Sequence, residues 1–417
     1  MNAAILSTGT ELTRGELVNT NAAWIAAELT LLNVSIAAID TVDDDRGRIA
    51  EAFRRLASCH DIVVCTGGLG PTTDDVTAEG LALAADVKLE THKPSLLAIQ
   101  ARMAKLARVV TESNAKQAMV PAGCTVLPNH WGTAPGFSLK LGRATIYCLP
   151  GVPIEMKGLF SSYIAPAVAQ SQRKTNVQIV IRTFGMAESA VNDALSKIEV
   201  EYGVTLGYRV HFPELAVKVI AHEDSSAQAH KVAEDAASAV GSILGKRVVF
   251  GQNSDTLPSV LGQMLRDRGQ SLGIAESCTG GLVSSLLTEQ PGISDVFVGA
   301  VVAYSNTAKQ CLLGVSDQLI QQYGAVSEPT AIAMAEGLRR ALNCDWALAI
   351  TGIAGPTGAT ADKPLGTVHF AVCGPGLSRH HHRVIASWER SRFQRLAAFV
   401  ALNWVRLLLL DPIAEAP

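Results

Sequence analysis

The sequence predicts an α/β protein in which two α/β domains, each with a mainly parallel sheet, are joined by a small α+β module. Three observations lead there. Strand-like and helix-like segments alternate up to about residue 170, strands crowd together between 175 and 250, and the alternation resumes after a polar stretch at 251–255. Length agrees, because a single hydrophobic core stops growing near roughly 250–300 residues and this chain has 417. Domains are accordingly expected over 1–172, 173–252 and 253–417.

The elements follow in order. β-branched runs at 3–7, 35–41 and 61–66 read as strands, with helices at 21–32 and 46–57 between them, which implies a parallel sheet with crossover connections. A later strand at 146–149 is stopped by Pro150-Gly151. The middle module has strand candidates at 177–184, 206–211 and 216–222 and helices at 188–198 and 227–244. The last part opens with a helix at 256–268 and continues through strands at 271–275, 297–303, 347–351, 367–372 and 381–385, closing on a long helix at 389–409.

Composition excludes several classes of function. Hydrophobic residues make up 48% and charged ones 18%, so there is ample material for packed cores and no case for disorder. The formal net charge of −3 and the lack of a Lys/Arg run argue against a nucleic-acid partner. Apolar stretches are broken by polar residues short of a membrane span, and the first residues carry no basic flank or cleavage site, so neither a membrane nor an export signal is expected. Eight cysteines without a CxxC pair read as buried small hydrophobes in a reducing compartment, and a cytoplasmic location is expected. The run His380–His382 lies on an expected strand, where alternation of faces favours a solvated edge over a metal site.

Two constellations carry chemistry. In the C-terminal part, Ser277, Cys278, Thr279, Gly280 and Gly281 follow a strand and open a helix, where side chains project over the carboxyl edge of a sheet. Ser277 is there a candidate nucleophile or a helix cap. A second strand end brings Tyr304, Ser305, Asn306 and Lys309, and a lysine serves as a base when burial or a neighbouring cation lowers its pKa; otherwise it is an exposed helix residue. A third turn, Thr351-Gly352-Ile353-Ala354-Gly355-Pro356, has glycines that let a ligand approach the backbone. Three such loops at one sheet edge describe a pocket.

The N-terminal constellation is Gly67-Gly68-Leu69-Gly70-Pro71-Thr72-Thr73-Asp74-Asp75 after a strand. Its glycines would admit phosphate oxygens to backbone N–H groups, and its carboxylates would hold a divalent ion; the plain alternative is a glycine turn followed by a helix cap. Further polar loops hold Ser7 to Glu11, Asn19 to Asn21, and Asp43 to Asp45.

These motifs resemble the CinA family. AESCTGG at 275–281, YSN with its following lysine at 304–309, GAVSEP at 324–329, GIAGP at 352–356 and KPLGTV at 363–368 are similar to its C-terminal domain, the nicotinamide-nucleotide amidase PncC. The resemblance implies Ser277 as nucleophile, Lys309 as its base and Tyr304 beside them. Thr279, Gly280, Gly281, Asn306, Thr351, Gly352 and Gly355 would line the substrate, nicotinamide mononucleotide. Backbone N–H groups near Gly280 and Gly281, or near Gly352, would hold the oxyanion, and this step needs no cofactor.

GGLGPTTDDVT at 67–77, with GTELTRGELVNTNAAW at 9–24, GTAPGF at 132–137 and PGVPIEM at 150–156, looks like the family's N-terminal domain, whose fold is that of molybdopterin-binding proteins of the MogA and MoaB type. There the resemblance implies a divalent-metal-dependent ADP-ribose pyrophosphatase. Its pocket would comprise Gly67, Gly68, Gly70, Thr72, Asp43, Asp74 and Asp75, with Asp43 and Asp75 on the metal. The chain departs from the family pattern at Thr13 and at Asn129-His130-Trp131-Gly132. The middle module is similar to the family's KH-like domain but lacks a GxxG loop, which implies a structural or dimerising role. A homodimer is expected. The rival readings are a molybdopterin-processing protein and a non-enzymatic partner in DNA uptake or recombination.

Overall fold

A computed structural model of the chain describes residues 1–105, 107, 109, 111–171, 175–385 and 389–411. By its internal contacts the chain divides into two compact units, 1–177 with 222–230, and 178–221 with 231–417.

The first unit is built on eight strands: β1 (Asn2–Thr8), β2 (Ser35–Val42), β3 (Ile62–Thr66), β4 (Leu89–Thr91), β5 (Met119–Pro121), β6 (Thr125–Leu127), β7 (Gly136–Leu141) and β8 (Ala144–Leu149). Six of these form a sheet in the order β2-β1-β3-β8-β7-β6, while β4 and β5 make a separate antiparallel pair. β1 runs parallel to both neighbours and β3 parallel to β8, whereas β7 and β6 return antiparallel. The central strands are buried on both faces, which is why they read as continuous apolar runs rather than as alternation. The helix Arg46–Cys59 seats Ile49, Phe53 and Leu56 on one face at helical spacing, and Asp45 starts it by accepting from the Arg48 N–H at 2.9 Å. Trp131 packs into the apolar layer under the helix Pro153–Leu159, in a space that a side chain at Gly158 would fill.

The second unit has two sheets. β9 (Thr175–Thr183), β10 (Val204–His211), β11 (Glu214–Glu223) and β12 (Val249–Gln252) lie in the order β10-β11-β9-β12, with the helix Ser226–Val248 in the connection. The larger sheet, β14-β13-β15-β16-β17, comprises β13 (Leu272–Glu276), β14 (Phe297–Val302), β15 (Trp346–Gly352), β16 (Thr367–Gly374) and β17 (Leu377–Val384). It is mixed: β13 is parallel to β14 and β15, and β16 and β17 fold back as an antiparallel hairpin. Strand 17 is an edge, as the histidine run implied, but His380 and His381 are half-buried rather than solvated. His380 Nε2 meets His369 Nδ1 at 2.9 Å, and burial together with the neighbouring imidazoles pulls His369 down to about 4.

Two helices flank that sheet and fix its height. Leu257–Arg266 begins with a reciprocal Thr256/Ser259 cap and buries Leu257, Leu261 and Leu265. Each such leucine contributes about 1.5–3 kcal/mol on burial. The closing helix, Arg390–Leu410, is long and apolar enough to cross a membrane by length and composition, yet 78% of that stretch is buried in the unit's own core. Arg406 within it is 2% exposed and donates to the carbonyls of Lys246 and Arg247, which lie just past the break in the helix Ser226–Val248 at Gly245, so the guanidinium satisfies these carbonyls in place of solvent.

Candidate active site

β13 sits between β14 and β15, so the chain reverses direction of progress at this strand, and its carboxyl end is the position at which open α/β sheets place their ligands. Ser277 is the first residue past β13. Its N–H donates to the Ile350 carbonyl of β15 at 3.0 Å, which fixes the side chain at the sheet edge. The next strand end turns at Ala303, where Ser305 caps the helix Asn306–Leu313 by accepting from the Ala308 N–H. That helix carries Lys309 inward, and the residue is 2% exposed. Lys309 Nζ lies 3.0 Å from Ser277 Oγ and donates to the Ala303 carbonyl at 2.8 Å.

The electrostatics favour a neutral amine. Burial holds the Lys309 pKa below the ordinary lysine value, and its two partners are a hydroxyl and a carbonyl, neither of them anionic. Neutral, the amine keeps one N–H on Ala303 and turns its lone pair to the Ser277 hydroxyl proton. Cys278 does not compete as nucleophile, since burial pushes its thiol up to about 12.

Glu276, the last residue of β13, is fully buried. Its carboxylate accepts from the N–H groups of Gly281 (2.9 Å), Val283 (3.2 Å) and Ser284 (2.9 Å), and from the Ser284 hydroxyl at 2.5 Å. The start of the helix Leu282–Thr288 is therefore filled by the chain's own anion. Gly280 N–H is spent as well, on the Ser277 carbonyl at 3.1 Å. The expectation that Gly280 and Gly281 hold an oxyanion meets donors already in use.

The remaining residues named from sequence fall into place as follows. Thr279 is buried and its hydroxyl has no partner among the described residues. Thr351 donates to the Ala325 carbonyl at 2.8 Å, so its hydroxyl holds the 324–329 loop. A side chain at Gly352 would stand 2.8 Å from the Thr367 carbonyl and 3.1 Å from the Cys278 sulfur, so this glycine lets β15 pack behind the nucleophile turn. Asn306 is exposed at the helix start, and Tyr304 is 62% exposed. Arg390 joins two of the loops, donating to Tyr304 Oη at 2.6 Å and to the Gly355 carbonyl at 2.8 Å. Gln394 donates to the Cys278 carbonyl at 2.9 Å.

The first unit repeats the arrangement with different chemistry. Beyond the carboxyl ends of β1 and β3 lies a cavity of about 780 Å³, lined by Gly67, Gly68, Gly70, Asp74 and Asp75 together with Glu11, Asn19, Asn21, Asp44 and Glu155. Gly67 and Gly68 adopt φ of 106° and 62°, and side chains there would strike Thr8 and Thr77, so the fold itself requires the glycine pair. Two residues named from sequence stand elsewhere. Asp43 does not line the cavity, because it pairs with Arg48 at 2.8 Å; Asp44 faces inward instead and accepts from the Thr10 N–H at 2.8 Å. Thr72 also lies off the lining and binds Asp75 Oδ2 through its N–H and hydroxyl, while Lys116 donates to the Thr72 and Asp75 carbonyls. Five carboxylates line the cavity with no Lys, Arg or His among its described lining residues. No three metal-ligating side chains among the described residues gather around one point.

Comparison with known proteins accounts for nearly every residue. The probable molybdopterin binding domain family matches 4–170, the CinA KH domain 178–251 and the CinA C-terminal domain 254–409. A CinA-like protein of Anaeromyxobacter sp. (strain Fw109-5) is 42% identical over 98% of this chain and 99% of its own. The chain belongs to the CinA family. A CinA-like protein of Geobacter metallireducens is 39% identical over 99% of this chain and 100% of its own. Among solved structures, a CinA protein of unknown function from Thermoplasma acidophilum is 36% identical and covers 40% of this chain and 97% of its own, with a TM-score of 0.38.

Within this CinA chain, the residues that sequence reasoning passed over are Glu276, Arg390 and Gln394. Glu276 stood inside the quoted AESCTGG motif, and a carboxylate just ahead of a helix start was the signal that could have found it. Arg390 and Gln394 come from the closing helix, far along the chain, and only the tertiary fold brings them to the nucleophile turn.

Proposed function

We propose that the second unit of this CinA protein is an amidohydrolase acting on nicotinamide mononucleotide, releasing ammonia and the nicotinate nucleotide. The observation that carries the reading is the buried Lys309–Ser277 pair at 3.0 Å, a nucleophile with a base whose pKa its surroundings lower. Ser277 Oγ bonds to the carboxamide carbon as its proton passes to Lys309, and the carbonyl electron pair moves onto oxygen. When that pair returns, the C–N bond breaks and Lys309 gives the proton to the departing amine, which leaves as ammonia. Water then attacks the ester with Lys309 again as base, and the proton returns to Ser277 as the acid is freed. Arg390 supports a nucleotide substrate, because two of its five N–H donors are committed to Tyr304 and Gly355 and the others can meet a phosphate at the rim.

The test is ammonia release from nicotinamide mononucleotide by the full chain, beside folded Ser277→Ala and Lys309→Ala variants. Loss in both supports the reading; an inactive wild-type chain, or an active Ser277→Ala, ends it.

A second reading concerns the first unit, where a carboxylate-lined cavity without a cationic lining residue favours a phosphate ligand that arrives with a divalent ion. No three carboxylates converge there among the described residues, so phosphate oxygens would supply most of the ion's shell, with Asp75 as a single direct ligand and other lining carboxylates acting through water, and the ion would polarise a phosphoryl bond such as that of ADP-ribose. Magnesium or manganese should then raise the unfolding temperature of the wild-type chain but not that of Asp75→Asn; equal shifts in both would dismiss it.

A further inference from the structure

The oxyanion donors of the proposed amidase can be sought among the N–H groups of the nucleophile turn itself, residues 277–284. Gly281, Val283 and Ser284 donate to the Glu276 carboxylate, Gly280 to the Ser277 carbonyl, and Ser277 to the Ile350 carbonyl. Ile353 N–H donates to the Thr367 carbonyl at 2.8 Å, which commits the first N–H past Gly352. The two amides between these sets, those of Cys278 and Thr279, meet no acceptor on another described residue. Thr279 adds a third donor in the same turn. It is 3% exposed and its hydroxyl is buried without a partner among the described residues.

An unpaired buried hydroxyl is costly, and native folds keep few of them; those that persist call for a reason such as a ligand. The amide of the residue after a nucleophile is placed to reach the oxygen of the carbonyl under attack. From these observations we infer that the Cys278 and Thr279 amides and the Thr279 hydroxyl form the oxyanion hole, with Thr279 Oγ1 completing its hydrogen bonding only when the substrate carbonyl oxygen becomes charged. Glu276 is what directs the assignment: by filling the helix start it removes three competing donors and leaves the nucleophile turn as the place where negative charge is received. The inference rests on the amidase reading.

Thr279→Val keeps the shape and deletes the donor, and Thr279→Ser keeps the donor. With the full chain and nicotinamide mononucleotide, Thr279→Val should lose about 10²–10³-fold in kcat, with KM moved only a few-fold. Thr279→Ser should restore most of the rate. The unfolding temperature of Thr279→Val should match or exceed wild type, since a methyl replaces an unpaired hydroxyl; a threonine that served packing alone would lose stability along with rate. A Thr279→Val enzyme within a few-fold of wild-type kcat, or a Thr279→Ser enzyme as impaired as Thr279→Val, overturns the assignment while the amidase stands. Thr279→Ala supplies the same reading of the donor should the valine variant not fold. A wild-type chain that releases no ammonia overturns the amidase and the oxyanion hole with it.

Discussion

Replacing Glu276 by glutamine tests whether the nucleophile turn is held by a charge. The carboxylate accepts three N–H groups, at 2.9, 3.2 and 2.9 Å, and one hydroxyl at 2.5 Å, in a fully buried position. Glutamine keeps a single oxygen. In its best orientation that oxygen stays with Gly281 and Val283, while its NH₂ faces the Ser284 N–H, and the Ser284 hydroxyl rotates to accept. One charge-assisted bond is then lost with its buried donor unpaired, at about 1.5–3 kcal/mol. The two retained bonds become neutral, roughly half as strong, which brings the expected loss to about 3 kcal/mol. A unit of this size shifts by about 2–4 °C per kcal/mol, so calorimetry of the full chain should find one transition lowered by about 6–12 °C. Leu261→Ala, in the same core, identifies that transition by moving it too. Ser284→Ala, which deletes only the hydroxyl bond to the carboxylate, should cost about 1.5–3 kcal/mol. If Glu276→Gln leaves untouched the transition that Leu261→Ala moves, the carboxylate does not organise the turn and the reasoning fails.

Two further outcomes follow from the same site. Burial sets the folded pKa of Lys309 below its unfolded value, so the folded state binds fewer protons; the amine costs stability as pH falls from the unfolded lysine range through the lowered folded value, and the cost is absent above both. Ammonia release should rise with pH through that lowered pKa. Lys309→Met should abolish the rate at every pH while raising the unfolding temperature at neutral pH, by about 1 kcal/mol of stability; a lysine that served structure would lose both. Gly337→Ala should destabilise although alanine is the better helix former by about 1 kcal/mol, because its methyl would stand 1.7 Å from the Leu313 carbonyl at the end of the helix that carries Lys309. Chemical denaturation checks it, and a more stable alanine variant would mean the helices are not in that contact.

Strands and crossover helices were legible because periodicity is local: the runs read at 3–7, 35–41 and 61–66 contain strands that are buried on both faces or paired to one that is, and their apolar character says so. The antiparallel β6–β7 pair was missed, since its three-residue β6 is too short to show alternation. Side-chain direction was less legible than position. Asp43 and Asp44 are neighbours with the same chemistry, and only the turn ahead of the helix Arg46–Cys59 decides that Arg48 takes the first and the cavity the second. The Ser277 and Lys309 loops could be placed at one sheet edge from their strand-to-helix positions. Their 3.0 Å approach, and the burial that favours the neutral, proton-accepting form of the lysine, depend on packing that no short segment encodes.

The two units solve one geometric problem with opposite charge. Each has a central strand, β1 or β13, from which the chain steps first to one side and then to the other, and each opens its site beyond that strand's carboxyl end. In the first, the described cavity lining supplies carboxylates and no cationic side chain, so an anionic ligand needs an outside cation to be held there. In the second, the carboxylate at the turn, Glu276, is turned inward to the helix start and satisfied by hydrogen bonds, while the cationic side chains Lys309 and Arg390 meet Ser277 and Tyr304. A carboxylate left free beside Ser277 would have raised the lysine pKa and repelled the developing oxyanion. Burying Glu276 against the amides removes that conflict, and the same contacts leave the Cys278 and Thr279 donors as those available to the reacting oxygen.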